Sequence, residues 1–234
     1  MRLTKLVRTA SSEANALAIS AGFLLLVKIL LLNRFPGWFF GAYELGIIVE
    51  AVLASVLASY VFYLLVVRVK EESDRDVLRP YLEKHSRRIV GECISQVREI
   101  SKASGITLDF TTVTASDVKS AFSAIAPYSP APLVVSAQPL QHANWLQYFE
   151  FHNERSKASI RKLFDQLPFL DPVHVSVLTD IDDCAHFAQM RAVSNQQIRN
   201  TDLSVFSGCF HEYCVLCQGL NKHLANFGME SIAP

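Results

Sequence analysis

The sequence predicts a mainly α protein, in which an N-terminal two-helix transmembrane hairpin precedes an all-α, or nearly all-α, cytoplasmic helical domain. Two apolar runs, residues 16–32 and 45–67, contain one charged residue each and no proline. About 20 helical residues cross a hydrocarbon core of about 30 Å, so both runs are long enough to span it. Only residues 33–44 lie between the runs, too few for a folded domain. After the second run, apolar residues recur every three or four positions, as in amphipathic helices.

The predicted division is a transmembrane hairpin of residues 1–69, with spans at about 16–32 and 45–67, and a helical domain of residues 70–234. A domain of that length can bury one core. The first run is not a signal peptide, because it is too long and no small-residue cleavage site follows it. The five cysteines all fall in the helical domain, where a reducing cytoplasm keeps them as thiols.

Basic residues near the ends of the runs predict the orientation. Most of them flank the hairpin on one side: Arg2, Lys5, Arg8, Arg68, Lys70, Arg75 and Arg79. Only Arg34 lies between the runs, so the positive-inside rule places both termini in the cytoplasm. From residue 70 onward, 16 lysines and arginines oppose 19 aspartates and glutamates, a net charge of −3. Phosphate binding needs a basic surface, so we expect little direct nucleic-acid binding.

Small residues recur at helical spacing in both spans. In the first span one stripe contains Ala14, Ala18, Ala21, Leu25 and Lys28. In the second span two neighbouring ladders contain Glu50, Ala54 and Ala58, and Ala51, Ser55 and Ser59. Small residues let membrane helices approach closely. Either the two spans pack on each other through these residues, or one ladder assembles several chains.

Lys28 and Glu50 are the charged residues of the two spans. Each lies five or six residues from the hairpin loop, which places both at a depth of roughly 8 Å. Matched depth predicts an ion pair, within one chain or between neighbours. Charged groups in spans are costly and usually face protein or water. The alternative is that Lys28 alone extends outward to the membrane surface.

The helical domain begins with a long amphipathic pattern that continues from the second span to about residue 104, with a break or kink expected near Pro80. Gly105 stands where a helix C-cap is expected. Residues 106–114 are β-branched and favour a strand, and Thr114 then opens a short helix over residues 116–126. Residues 127–132 form a proline-rich loop.

Three further helices are predicted. The first covers residues 140–167. The second opens at Asp171–Pro172, an N-cap followed by an N1 proline, and carries Val175, Leu178, Ile181 and Ala185 on one helix. The last has a coiled-coil-like apolar seam, which includes Leu203, Phe206, Phe210, Tyr213, Cys217, Leu220, Leu224 and Phe227. This seam either closes the domain's own core or forms a partner or oligomer interface.

No motif supports catalysis. The sequence contains no glycine-rich phosphate loop, no HExxH and no GxSxG, so we expect no enzyme, no catalytic residue and no cofactor. The alternative is zinc held by Cys209, Cys214, Cys217 and His211. The apolar seam runs through these residues, however, and no glycine or proline between Cys209 and Cys217 supplies the turn at which structural zinc sites place their cysteines. Asp180, Asp182 and Asp183 form an acidic cluster that is either solvated or, less simply, a divalent-metal site.

Two segments resemble a known class of proteins. Residues 46–67 with the charged segment after them, and residues 171–187, resemble the two-transmembrane effector proteins of bacterial anti-phage defence systems, including those that accompany some retrons. The resemblance implies an inner-membrane effector, a toxin of abortive infection that a partner complex holds inactive. That partner complex can be a reverse transcriptase with its DNA–RNA hybrid. Once released, the effector disrupts the inner membrane. The alternative is a membrane-tethered adaptor whose spans only anchor a helical protein-interaction domain.

Overall fold

The computed structural model describes residues 11–31 and 42–226, without the side chains of Ala42 and Tyr43. Eight α-helices dominate these residues, and one sheet of two strands accompanies them. The prediction of a mainly α protein is therefore confirmed. Four basic residues used for the orientation (Arg2, Lys5, Arg8 and Arg34), most of the predicted hairpin loop, and Phe227 of the seam lie outside the described residues.

The helices and strands follow one another in a simple order. The helices are α1 (Ser12–Leu30), α2 (Ala42–Phe62), α3 (Val69–Ser104), α4 (Ala115–Ser123), α5 (Trp145–Phe164), α6 (Pro172–Asp182), α7 (Ala185–Val193) and α8 (Ser207–Asn226). A π-helical segment, Tyr63–Arg68, joins α2 to α3, so that Glu44–Ser104 is one continuous helix. The strands are β1 (Pro130–Ala137) and β2 (Leu140–Asn144).

The chain divides into two compact units, Met1–Val77 and Leu78–Pro234. In the first unit α1 packs against α2. Both helices are long and apolar enough to cross a membrane, with mean hydropathies of 1.7 for Ser12–Leu30 and 2.1 for the most apolar stretch of Glu44–Ser104. The boundary between the units falls inside α3, and Pro80 lies within that helix without ending it.

The second unit has one core, to which α3 to α8 all contribute. At its centre the rings of Phe122, Phe149 and Phe210 pack together, with ring centroids 5.2 to 5.8 Å apart. These rings come from α4, α5 and α8, and each of them is fully buried. Aromatic contacts of this geometry add to the energy of burial, so the three helices depend on one another.

The helix ends predicted from the sequence are present. Thr114 caps α4 in a capping box with Asp117, and Asp171 caps α6 with Pro172 at its first position. Gly105 follows α3 with φ 71°, a left-handed conformation that glycine adopts without steric cost. These signals act over three or four residues, which is why the local sequence suffices to place them.

Three local predictions are wrong. Residues 106–114 are not a strand, because the Asp109 carboxylate accepts a hydrogen bond from the Thr111 N–H (2.8 Å) and closes a turn. The strands lie instead at β1 and β2, which pair as an antiparallel hairpin. β1 begins inside the predicted loop and continues beyond it, and β2 occupies the start of the predicted long helix. The helix that opens at Asp171 ends at Asp182, and Cys184 begins a separate helix, α7.

Candidate functional site

The packing of α1 against α2 uses the predicted small-residue stripe of α1. Ala18 and Ala21 are 7% and 4% exposed, and Ala14, Leu25 and Lys28 are half-buried on the same stripe. On α2 the residues that face them are larger. A Cβ built at Gly22 would lie 3.9 Å from Leu57 Cδ2, so the side chain of Leu57 fits beside the small surface of α1. This is close packing of the kind that holds membrane helices together.

Lys28 and Glu50 form an ion pair within the chain, between Lys28 Nζ and Glu50 Oε2. The lysine side chain is 12% exposed, whereas the glutamate side chain is 44% exposed. Gly46 leaves room for the lysine stem, because a Cβ there would lie 3.6 Å from Lys28 Cε. The lysine therefore lies along α2 and binds its partner, while much of the glutamate faces outward from the pair.

A second polar contact lies at the other end of the two helices. Tyr60 Oη donates a hydrogen bond to Asn15 Oδ1. Together with Lys28–Glu50, this contact shows that α1 and α2 run antiparallel, since the partner number rises as the α1 number falls. The pair was not predicted from the sequence. A usable signal was present, because Asn15 lies just before the start of the first apolar run and Tyr60 lies toward the end of the second.

The small-residue ladders of α2 do not pack on α1. The five small residues Ala51, Ala54, Ser55, Ala58 and Ser59 are all exposed, and we call them the α2 ladder. The two spans therefore do not pack through both sets of small residues. The reason is geometric: α1 presents small residues, so α2 turns larger side chains such as Leu53 and Leu57 toward it and leaves its small face outside. Of the α2 ladder residues, Ser55 and Ser59 also line a cleft of about 400 Å³, together with Ala14, Ala18 and Tyr60.

The outer surface of both helices is apolar. Leu17, Ile19 and Phe23 of α1 are 62%, 73% and 65% exposed, and Ile48 and Phe62 of α2 are 60% and 64% exposed. Soluble monomers rarely expose contiguous apolar surface on this scale. Much of the apolar surface of these two helices therefore stays uncovered within the described part of the chain.

The apolar seam of α8 lies inside the second unit. Its members Leu203, Phe206, Phe210, Tyr213, Leu220 and Leu224 are at most 6% exposed and belong to the core. Of the two predicted alternatives, this burial favours core packing. The residues named as candidates for a partner or oligomer interface have no surface left for another chain in this conformation.

The ligand atoms of the cysteine alternative for zinc do not point toward a common position. Cys209 Sγ lies 3.0 Å from the Phe206 carbonyl oxygen, whereas Cys214 Sγ points to Cys93 Sγ at 3.8 Å. Among the described residues, Cys209, Cys214, Cys217 and His211 form no group with metal-ligand spacing, nor do Asp180, Asp182 and Asp183.

The structure also reveals a buried charge cluster on α3 and α5. Glu92 is 6% exposed, and its carboxylate lies 2.6 Å from His152 Nδ1 and 2.8 Å from Arg155 Nε. A buried carboxylate needs such partners, because desolvation of a lone charge is very unfavourable. The sequence pattern does not reveal the cluster, because Glu92 lies 60 positions from His152 and 63 from Arg155, and only the fold brings them together.

A further set of polar residues joins α3, α6 and α8. Asp171, the N-cap of α6, has its Oδ2 atom 3.2 Å from His223 Nε2, and His174 Nε2 lies 3.0 Å from Ser86 Oγ. Burial lowers the pKa of His174 to about 4, with a smaller contribution from His223. Burial alone would raise the pKa of Asp171, but hydrogen bonds from the His174 backbone and from His223 bring it below its usual value. Asp171 and His223 lie 52 positions apart in the sequence, so local patterns do not reveal that they meet.

No model of a known family, no curated protein and no solved structure matches this chain. The features that bear on function are therefore those of the two units themselves. The first unit offers an ion pair, an exposed small-residue face and an apolar outer surface. The second offers buried polar clusters within a packed core.

Proposed function

We propose that this protein is a non-enzymatic membrane effector whose α1–α2 hairpins assemble in the bacterial inner membrane and make it leaky. The observation that carries this proposal is the exposed α2 ladder, which lies next to a charged pair on an otherwise apolar hairpin. An anchor needs only an apolar surface. A small-residue face that stays exposed on the hairpin is a surface on which a second hairpin can pack closely.

The length of the two helices and the exposure of their apolar side chains support membrane insertion. Ser12–Leu30 and the first part of Glu44–Ser104 have the length and hydropathy of spans, and their large apolar side chains point outward. The basic residues at both ends of the hairpin then place the termini in the cytoplasm. The second unit lies on the cytoplasmic side in this arrangement.

Assembly brings the α2 ladder and Glu50 into a protein environment. Helices with small residues approach until their backbones contact, and a charged side chain in a span faces such an interior or water. The Glu50 side chain is 44% exposed beside the ladder, so neighbouring hairpins cover it. A ring of Glu50 carboxylates, each paired with a Lys28, then provides a polar path through the bilayer.

Regulation belongs to the second unit in this proposal. Like the anti-phage effectors that the sequence resembles, the protein is held inactive by a partner complex that binds residues 70–234, and release during infection damages the membrane and stops growth. The net charge of −3 over these residues supports contact through protein rather than through nucleic acid. A reverse transcriptase carrying a DNA–RNA hybrid is one such partner.

A second function is favoured by one observation. The Lys28–Glu50 pair closes within a single chain, so one hairpin satisfies its own charges and can serve as an anchor. In that case the protein is a membrane-tethered adaptor whose second unit binds a partner. An unrelated two-span anchor in place of residues 1–67 would then preserve function, whereas the effector proposal predicts its loss.

The test is the membrane potential of cells that express the full chain alone, without the partner complex, followed with a potential-sensitive dye. We expect rapid depolarisation by the wild type. The double variants Glu50→Leu/Lys28→Leu and Ser55→Leu/Ser59→Leu should each abolish it, because the first removes the polar path and the second blocks close approach. Membrane insertion is verified by fractionation for every variant.

The matched control is Ser20→Leu. Ser20 is an exposed serine of α1 outside the α2 ladder, so the same substitution there should leave depolarisation unchanged. Depolarisation that persists in both double variants would contradict the assignment to the spans. If cells that contain inserted wild-type protein but no partner complex keep their membrane potential, the adaptor function is favoured.

A further inference from the structure

We propose that Asp171, His174 and His223 form a binding site for one zinc ion in the second unit. Each of the three side chains presents a ligand atom, and these atoms lie within 4.8 Å of one another. Two imidazoles and one carboxylate are a ligand set that zinc accepts. Among the residues that the structure describes, this is the one group of histidine, cysteine or acidic side chains with such spacing.

The N-cap of α6 orients the carboxylate. Asp171 Oδ1 accepts a hydrogen bond from the His174 backbone N–H (3.0 Å), which leaves Oδ2 directed toward His223 Nε2 at 3.2 Å. In a tetrahedral site with bonds of about 2.0 to 2.1 Å, ligand atoms are roughly 3.3 Å apart. Asp171 and His223 are therefore already at the spacing that the ion needs, and the His174 ligand atom lies within 4.8 Å of both.

His174 has the outer partner that a metal-bound histidine usually has. Its Nε2 atom lies 3.0 Å from Ser86 Oγ, and both residues are buried, with 4% and 0% exposure. When the Ser86 oxygen accepts the Nε2 proton, Nδ1 remains unprotonated and can bind a metal.

The two helix ends at the site have opposite electrostatic effects on a bound cation. The site lies at the N-terminus of α6, whose dipole disfavours a cation, and at His223 in the last turn of α8, whose dipole favours one. The carboxylate of Asp171 adds one full negative charge. The Asp171 side chain is 29% exposed, so water reaches the fourth coordination position. The bound ion thereby links the start of α6 to the end of α8.

The experiment is calorimetric titration of the full-length protein with zinc sulfate in detergent micelles. The protein carries a tag without histidine and is first stripped of metal with a chelator. We expect one zinc ion per chain. Asp171→Asn, which retains an N-cap residue, and His223→Gln should each weaken binding at least about 100-fold, because outer-shell substitutions alone cost about 10- to 100-fold.

His211→Gln is the matched control. His211 lies on α8 like His223, is half-buried and belongs to the cysteine alternative, so its replacement should leave zinc affinity unchanged. Absence of zinc uptake by the wild type would overturn the proposal, and so would full affinity in both Asp171→Asn and His223→Gln.

A spectrum of the wild type filled with cobalt in place of zinc needs no variant and applies even where a variant fails to fold. Visible cobalt absorption without a sulfur charge-transfer band supports the Asp171–His174–His223 site. A strong sulfur-to-cobalt band would assign the metal to the cysteines and overturn it. The result is independent of the proposed membrane activity, since the hairpin contributes none of the three ligands.

Discussion

The hairpin and the helical domain of this chain pair their polar groups in different ways. In the hairpin, Lys28 meets Glu50 and Asn15 meets Tyr60, partners that can be found by counting residues away from one turn. In the domain, Glu92 meets His152 and Arg155, and Asp171 meets His223, across elements that are distant in sequence. Two antiparallel helices leave few ways to pair, whereas six packed helices leave many.

The two units also differ in the direction that their apolar side chains face. Large apolar residues of α1 and α2 point outward, while those of α3 to α8 point into one core. A substitution in the domain core therefore reduces folding stability in water. A substitution on the outer face of the hairpin removes little packing within the chain, and its effect appears when hairpins meet each other or lipid.

The largest expected effect is that of Phe210→Ala in the domain core. Phe210 is fully buried and packs on Phe122 and Phe149, so truncation should reduce the free energy of unfolding by about 3 to 5 kcal/mol. The measurement is urea unfolding of the full chain in micelles, followed by the fluorescence of Trp145 in a Trp38→Phe background. Val215→Ala, at an exposed position on the same helix, should change it by less than about 0.5 kcal/mol. Equal, small effects of the two variants would contradict the placement of the seam in the core.

A smaller effect, dependent on pH, is expected from His186. Burial lowers the pKa of His186 to about 3 in the folded chain, from 6.5 in the unfolded chain. Between these two pKa values the ring of His186 is therefore protonated in the unfolded state and neutral in the folded state. The free energy of unfolding therefore does not depend on this ring above pH 6.5. As the pH falls from 6.5 toward 3, the free energy of unfolding decreases by about 1.4 kcal/mol per pH unit.

Replacement of His186 by leucine sharpens this prediction. His186→Leu should be less sensitive to acid than the wild type between pH 6.5 and 4, in the same urea unfolding assay. His142→Leu, at an exposed position on β2, should follow the wild-type curve. Parallel curves for the wild type and His186→Leu over this range would show that the buried ring does not control the acid response.

The smallest expected effect lies in the hairpin. Tyr60→Phe removes the hydrogen bond to Asn15, and such bonds between membrane helices contribute about 0.6 kcal/mol on average. Unfolding of the hairpin by increasing detergent strength, measured by energy transfer between labels on the two spans, should shift by about that amount. A loss of several kcal/mol would mean that the hairpin depends on polar pairing as the domain does, and the contrast between the units would fail.

Predictions from the sequence succeeded where a signal is local. The caps at Thr114 and Asp171 and the positive φ of Gly105 depend on a few neighbouring residues. The stripe on α1 and the pairing of Lys28 with Glu50 required one further assumption, that the two apolar runs pack side by side. Predictions failed at β1 and β2, because a short antiparallel pair is stabilised by its partner strand rather than by its own composition.

The sequence by itself determined that the chain is mainly helical, that two helices are apolar enough to cross a membrane, and where several helices begin. Helical periodicity and capping are properties of one segment, so a single segment reveals them. Only the tertiary structure decided that the α2 ladder faces outward, that the seam of α8 is core, and that Asp171, His174 and His223 meet. Each of these depends on which faces of different helices are buried together, and a residue's own neighbours in sequence do not specify that choice.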